Sequence, residues 1–515
     1  MTNDETSGSR QAKEEEHRLV KARLEKIEKL DGLGISCYPH GFAGGEAIAD
    51  LRARFDAASA EDLAESKPAV TVRGRLTSLR GHGKAGFADL ADQDGRIQIY
   101  FRKNNLSERD FQIYKLLDIG DFVGVEGRLM RTRTSELTVS ALKLTLLAKA
   151  IRPLPVPKVE RREGAEIVHD PFQDKELRYR QRYVDLALNR ESRDRFVMRS
   201  RIIRKIRSFL DDRGFLEVET PVLQPVYGGA AARPFTTHHH ALDQQLFLRI
   251  ADELYLKRLI AGGFERVYEI AKDFRNEGMD RLHNPEFTML ELYEAYADYH
   301  GMMELVETLI PLLAREVHGT DTVSIQGKEV SLRGPFARIP YLDAINDATG
   351  IDPAGMSRED LATVCRDLGI EAAPEAGKGK LLDAIMGEKV EPDLVSPTFI
   401  IDYPIETSPL AKRHREKASL TERFECFIAA SELANAFSEL NDPVDQRERF
   451  EAQATLRAKG DVEAQAPDED FLRALSYGMP PTGGLGIGVD RLVMLLTDAP
   501  SIRDVLLFPA MRPES

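Results

Sequence analysis

The chain reads as an α+β protein in two parts: a small five-stranded β-barrel, then a larger domain in which helices flank an antiparallel sheet. Three observations predict this. Between residues 67 and 150, five short runs alternate apolar and polar side chains, with Gly, Asn and Asp between them. Further on, Phe274-Arg275-Asn276-Glu277 and Phe287 to Tyr293 read as two strands joined by a polar loop. Arg275 and Glu277 share one face of the first, Phe287, Glu291 and Tyr293 one face of the second, and Thr288, Leu290 and Leu292 lie opposite. Near the C-terminus, Gly483-Gly484-Leu485-Gly486-Ile487-Gly488 reads as a strand with one face stripped of side chains, followed by a helix with Arg491 in its first turn.

The bulk properties narrow the field. At 515 residues the chain has room for two or three domains. Its net charge of −14 excludes a generic nucleic-acid binder and confines any polyanion site to a local basic patch. Cys37, Cys365 and Cys426 show no Cys-x-x-Cys spacing, which argues against a zinc site or a disulfide framework and fits a reducing compartment. No signal-peptide pattern opens the sequence, and no apolar run reaches the roughly 18 residues of a membrane span. A cytoplasmic protein is expected.

Residues 1–66 form an N-terminal extension. Residues 1–16 are polar and are expected to be disordered. From Glu14 to Leu30, Leu19, Leu24, Ile27 and Leu30 recur at helical spacing, with Lys21, Lys26 and Lys29 among the exposed charges. Such a face is either simply solvated or touches nucleic-acid phosphates. Residues 67–150 hold the five runs 70–76, 86–90, 96–100, 121–127 and 136–139, with a helical stretch at 108–117 between the third and fourth. That order matches an OB-type barrel, a fold that binds oligonucleotides across its second and third strands. There Phe87 could stack a base and Gln98 read an edge, with Arg80 nearby; the plainer alternative makes Phe87 a core residue. Residues 151–169, with Pro153, Pro155 and Pro157, read as a semi-rigid linker, and 170–515 as the second domain. It opens with an arginine-rich, largely helical stretch, Lys175 to Arg213, then Gly214 and a strand stopping at Pro221.

The polar face of the two-strand unit predicts a pocket that neutralises an anion, stacks a flat ring and orients a cation. Arg491 opposes the dipole at the start of its helix, a cost that is explained if it faces a ligand. Gly-Lys-Ser/Thr, which a Walker-type phosphate loop requires, does not follow these glycines. A fourth segment places Glu425 and Glu432 on either side of a small-residue bend, Ala429-Ala430-Ser431, with Asn435, Phe437 and Glu439 at every second position beyond it. A buried Glu439 needs a cationic partner and so suits an ammonium group, with Tyr293 as a hydrogen-bonding neighbour. Glu425 and Glu432 are either surface carboxylates or, close to a triphosphate, a Mg²⁺ pair.

In this order, Gly214 to Leu223, Phe274 to Glu291 and Gly484 to Arg491 resemble the three motifs of the class II aminoacyl-tRNA synthetases. Phe399 to Leu410, the Asn435-x-Phe437-x-Glu439 run, Gly229 to Phe235 and Ile502 to Pro509 resemble the bacterial-type lysyl-tRNA synthetases, as does the N-terminal barrel. The resemblance implies a class II catalytic domain, ATP and L-lysine as substrates, tRNA(Lys) as partner, Mg²⁺ as cofactor and a homodimer. It implies that Gly229 and Glu253 hold the lysine α-amino group and that Arg275 bridges the lysine carboxylate and the α-phosphate. Glu291, Tyr293, Asn435, Phe437 and Glu439 would line the side-chain pocket. His283 would approach the ATP phosphates, Phe287 and Arg491 would sandwich the adenine, and Glu277 would contact it. Glu425 and Glu432 would bind Mg²⁺; Arg80, Phe87 and Gln98 would meet anticodon bases. Three departures stand out: Asp252 where relatives often have Pro, Leu282 before His283, and Ala434 and Ala436 where glycines are common, which are expected to narrow the pocket. A relative that lysylates protein would lack the barrel, and a non-catalytic RNA-binding one would have lost Arg275, Arg491 or the paired glutamates.

Overall fold

The computed structural model describes residues 4–81, 83–156, 158–162, 165–169, 172–373, 376–458 and 467–514. The chain divides into two compact units, Met1–Asp174 and Lys175–Ser515.

The first unit starts with helix α1, Asp4–Gly32. The expected disorder of residues 1–16 is thus corrected from Asp4 onward; residues 1–3 lie outside the described residues. Glu, Lys, Arg, Gln and Ala dominate this stretch, and such helix formers extend a helix outward from an anchored turn. Arg23 supplies the anchor. Its buried guanidinium donates to the carbonyls of Ala150 (2.9 Å), Arg152 (3.0 Å) and Ile119 (3.1 Å). Leu30 is buried, whereas Leu19 and Leu24 are exposed, so the apolar face is narrower than their spacing implies. Lys26 is tied to Asp118 at 2.7 Å, leaving Lys21 and Lys29 as the solvent-facing lysines of the three.

Five strands follow: β1 (Ala69–Arg80), β2 (Ala85–Ala91), β3 (Arg96–Arg102), β4 (Phe122–Arg131) and β5 (Leu137–Ala148), with helix α2 (Glu108–Leu116) between β3 and β4. They close into a barrel in the order β1-β2-β3-β5-β4. The two-residue period decides which side chains fill it. Ala88, Leu90, Ile97, Ile99 and Phe101 point inward and are fully buried, while Phe87, Asp89, Gln98 and Tyr100 alternate with them on the outside. Ser107 caps α2 by accepting from the Asp110 amide at 3.0 Å. The stretch 151–169 holds more structure than a linker: β6 (Lys158–Arg162) and β7 (Ala165–His169) pair antiparallel.

The second unit is built on eight strands: β8 (Leu216–Glu217), β9 (Arg266–Phe274), β10 (Glu286–Ala295), β11 (Ala337–Pro340), β12 (Thr398–Ile401), β13 (Arg423–Ile428), β14 (Ser431–Ser438) and β15 (Thr482–Gly488). Their order is β11-β12-β13-β14-β15-β10-β9-β8. The two outermost pairs, β11 with β12 and β8 with β9, are parallel and the rest antiparallel. The expected strand after Gly214 is only the two-residue β8. Helices α3 (Arg190–Asp211), α4 (Glu253–Ala261), α5 (Tyr299–His318) and α6 (Val489–Leu496) complete the part that matters here.

Alternation along the central strands makes two different faces. Phe424, Cys426, Ala434, Ala436, Leu485, Ile487, Leu290, Leu292 and Tyr268 form one buried cluster with Met302, Val306, Leu309 and Ile310 of α5 and Ile202 and Ile206 of α3. Burying each large side chain of this set contributes roughly 1.5–3 kcal/mol. The residues between them therefore face the other way, and those residues are the polar ones.

Candidate active site

Two rows of side chains cross this second face. In one row Glu425 stands opposite Asn435, Asn435 opposite Gly486, Gly486 opposite Glu291, and Glu291 opposite Glu269. In the next, Arg423, Phe437, Gly484, Tyr293 and Val267 are paired in the same way. The glycines make the space. A Cβ on Gly484 would run into the Glu439 carboxylate and lie 2.6 Å from the Tyr293 ring, and one on Gly486 would lie 3.3 Å from the Met289 methyl. The predicted bend before β14 is a two-residue turn in which Ala429 and Ala430 both hold positive φ, 54° and 57°.

Glu439 follows the end of β14, its amide donating to the Thr482 carbonyl at 2.8 Å. Its side chain is fully buried and meets the ammonium of Lys257 on α4. The same ammonium donates to Glu253 Oε1 at 2.5 Å. Burial pushes Glu439 up to about 8 although Lys257 pulls the other way. Burial also works against the charge on Lys257, but two adjacent carboxylates outweigh it and hold the ammonium above its usual range. Glu291 is likewise pushed up to about 8, by burial and then by the charges of Glu253 and Asp273. The Tyr293 hydroxyl donates to Glu291 Oε2 at 3.0 Å, so Tyr293 serves Glu291 rather than Glu439 as expected. Gly229 holds φ +89°, and a Cβ there would lie 3.0 Å from Ala251 and 3.2 Å from the Glu253 Cβ. Gly229 and Glu253 are thus brought together.

Toward the mouth the residues are half-buried or exposed. β9 ends at Phe274, so Arg275 and Glu277 stand in the loop beyond the strand, not on one strand face as expected. The cause is local: the Glu277 amide folds back on the Arg275 carbonyl at 2.9 Å, while the Arg275 amide still donates to Pro285 at 2.9 Å. The Arg275 guanidinium lies over the Phe287 ring, 5.0 Å from its centroid. Glu277 is exposed. Arg491 donates to the Glu432 carbonyl (2.8 Å) and carboxylate (3.0 Å) and contacts His283 Nε2 at 3.1 Å. His283 Nδ1 in turn meets Asp280 at 2.8 Å. Glu425 is paired with Arg423 at 2.5 Å, and burial followed by the charge of Glu432 pushes it up to about 7. Ala434 and Ala436 belong to the apolar cluster on the opposite face; the expected narrowing of the pocket is thereby corrected, since their methyl groups point away from it.

Sequence reasoning missed three groups. Lys257 sits between Glu253 and Glu439, and its signal was the Glu253-x-x-x-Lys257 spacing of one helical face. Arg423, on β13, donates to Asn435 Oδ1 at 3.2 Å and stacks on Tyr403 at 4.4 Å. Asp252 and Asp273 lie within 4.8 Å of Glu291, measured between carboxylate oxygens.

On the barrel, Phe87 packs against Tyr100 with ring centroids 4.8 Å apart and belongs to the outer surface, not the core. Arg80 is exposed and 3.4 Å from Asp89, and Gln98 accepts from Thr138 at 3.0 Å. Arg80 pairs with Phe87, Phe87 with Tyr100 and Asp89 with Gln98, so the three expected residues share one patch.

Among the described residues no helix is long and apolar enough to cross a membrane. Residues 70–147 match the OB-fold nucleic acid binding domain, and residues 174–512 match the tRNA synthetases class II (D, K and N). A lysine–tRNA ligase of Carboxydothermus hydrogenoformans is 53% identical over 501 residues, covering 97% of this chain and 99% of the relative. One from Moorella thermoacetica is 52% identical over 502 residues with the same coverage, and one from Porphyromonas gingivalis 50% over 499 residues, 96% of this chain and 85% of the relative. With a polar sheet face behind a glycine strand and near full-length similarity to such relatives, this chain belongs to the class II tRNA synthetases of the D, K and N family.

Proposed function

We propose that the protein is a lysine–tRNA ligase, which activates L-lysine with ATP and transfers it to the 3′ end of tRNA(Lys). The observation that carries this reading is Glu439, fully buried at the closed end of the pocket, with Glu253 and Glu291 also buried nearby. These three carboxylates share one buried ammonium, that of Lys257, so the set draws a further cation, because a buried carboxylate without its share of positive charge costs several kcal/mol. The substrate's ε-ammonium is drawn to Glu439 beside Asn435, Phe437 and Tyr293. Glu291 lines the same side-chain pocket, and the α-ammonium is drawn to Glu253 and Gly229.

In the first step a lysine carboxylate oxygen attacks the α-phosphorus in line, the new O–P bond forms, and the bond to pyrophosphate breaks. The carboxylate is already ionised at neutral pH, so no general base is needed. Arg275 neutralises the carboxylate and the α-phosphate together. Arg491 exchanges Glu432 and His283 for the nucleotide, stacking on the adenine opposite Phe287; Glu277 meets the adenine and His283 the phosphates. Rate comes mostly from positioning and charge neutralisation. In the second step a terminal ribose hydroxyl of tRNA attacks the lysyl carbonyl and AMP departs.

Glu425 and Glu432 fit Mg²⁺. Glu432 adds to the upward push on Glu425, a like-charge repulsion that a divalent cation relieves. When bound, the ion would supply charge neutralisation on the phosphates. Arg80, Phe87 and Gln98 are the residues for anticodon bases. Leu216, Val222 and Leu223 are exposed apolar residues in the segment similar to the family's dimer motif, which supports a homodimer.

The test is ATP–pyrophosphate exchange by the purified protein with a panel of amino acids. Exchange driven by lysine is expected; exchange driven by aspartate or asparagine would overturn the substrate.

A further inference from the structure

Beneath the pocket lies a group of carboxylates that the proposed chemistry does not use. Asp252 precedes α4, at the position where an aspartate ordinarily accepts a hydrogen bond from the helix amides. Here it makes no such bond. Its side chain is fully buried, and neither oxygen has a hydrogen-bond partner. It is turned inward, where one of its oxygens comes within 4.8 Å of one oxygen each of Asp273 on β9 and Glu291 on β10.

The charges facing this group do not balance it. Arg249 reaches Glu269 at 2.7 Å and Asp273 at 3.3 Å, and Arg275 also draws Asp273 down. Lys257 from α4 is engaged by Glu253 and Glu439. Asp252 faces the charges of Glu291, Asp273 and Glu269, relieved in part by Arg249. Glu291 faces Glu253 and Asp273, relieved by the Tyr293 hydroxyl and Lys257. Six carboxylates, those of Asp252, Glu253, Glu269, Asp273, Glu291 and Glu439, thus share three cations, Arg249, Lys257 and Arg275. Isolated buried anions of this kind neutralise themselves by taking up protons. In keeping with this, burial and mutual repulsion raise Asp252 well above the usual carboxylate range, and Asp273 rises to about 6, chiefly through burial.

We propose that Asp252 and Asp273, with Glu291, form a proton-holding cluster under the pocket, and that a bound lysine ammonium takes the place of one of its protons. Glu291 is the link, since it belongs both to the cluster and to the pocket wall. An ammonium arriving between Glu253 and Glu291 favours the charged form of Glu291, and the displaced proton leaves to solvent. Asp252 and Asp273 are then positioning residues: they set how many protons the empty pocket carries and make lysine binding tighten as pH rises. This inference rests on the lysine reading given above.

Calorimetric titration of L-lysine into the full chain at pH 7, in two buffers of different ionisation enthalpy, counts the protons released per lysine bound. A release of about half to one proton is expected, with lysine affinity rising up to tenfold per pH unit between pH 6 and 8. Asp252→Asn and, independently, Asp273→Asn are each expected to reduce both the release and the pH slope. A single folded variant with that behaviour supports the inference. Lysine binding without proton release in the wild type, or a release unchanged in both variants, would overturn it. A stoichiometric metal ion found by elemental analysis of the wild type and lost in Asp252→Asn would also overturn it, because the cluster would then hold that ion. Absence of both lysine binding heat and lysine-driven exchange would instead count against the proposed function itself.

Discussion

The closed end of the pocket stands on the polar sheet face and α4, its mouth on the loop after β9 and the start of α6, and the two are built in opposite ways. At the closed end Glu253, Lys257, Glu291, Tyr293 and Glu439 are buried, each with a named charged or hydrogen-bonding neighbour. At the mouth Glu277 and His283 are exposed, and Arg491 is occupied by Glu432 and His283. The difference teaches where selectivity and turnover reside. Buried partners cannot rearrange cheaply, which suits the closed end to the proposed reading of one side chain. Exposed, mutually paired side chains exchange partners at little cost, which suits the mouth to the proposed admission of a nucleotide and release of products.

The sharpest way to break this contrast is Glu439→Gln. Truncating one partner of a buried charge pair costs roughly 2–5 kcal/mol, so lysine-dependent exchange is expected to fall by about 30- to 5,000-fold in kcat/KM. A loss below tenfold would mean that the closed end does not select the substrate. Next comes Arg491→Ala, which removes the adenine's stacking partner and a positive charge beside the nucleotide; kcat/KM for ATP is expected to fall about a hundredfold while the KM for lysine moves little. An equal rise in the lysine KM would erase the separation between the two ends. Smaller still is Phe87→Ala on the barrel. Loss of one stacked base costs about 1–3 kcal/mol, so tRNA charging should weaken by five- to a hundredfold with exchange intact. Loss of both would return Phe87 to a structural role.

The smallest effect is in stability. Glu291 and Glu439 are raised to about 8, well above their unfolded range near 4.5. Folding therefore takes up protons, so their contribution is complete below about pH 4.5 and is lost as pH rises through 8. The melting temperature of the ligand-free protein should decline from pH 6 to pH 8, by a few degrees at most, and saturating lysine should flatten that decline. A ligand-free melting temperature that rises across this interval would mean both groups are ionised when the pocket is empty.

Much of this architecture was legible in the residues. Ile97, Ile99 and Phe101 announce a barrel strand because a period of two leaves no other way to bury them. The glycine strand and Arg491 announce a bare surface beside a cation. The remainder depended on contacts distant in sequence. That Lys257 reaches Glu439 is decided by where α4 packs against the sheet, which no local pattern encodes. Tyr293 serving Glu291 is, by contrast, a local pairing of neighbours two apart on one strand face, which the period of two already allows. Ala434 and Ala436 were misread because pocket and core alternate residue by residue, and the face depends on register. The α1 start at Asp4 was missed for another reason: polar composition suggests disorder, yet the same residues are strong helix formers once one end is anchored by Arg23.

The bare lane of Gly484 and Gly486 has one more consequence. It lets β14 and β10, which never touch as paired strands, act as opposed jaws with a third strand as the fulcrum between them. The gap between the jaws is set by backbone spacing, the stiffest dimension a sheet possesses. Under the proposed reading, substitutions on either jaw would retune which amino acid is gripped while the jaw separation, and with it the alignment of the carboxylate toward Arg275, stays where it is.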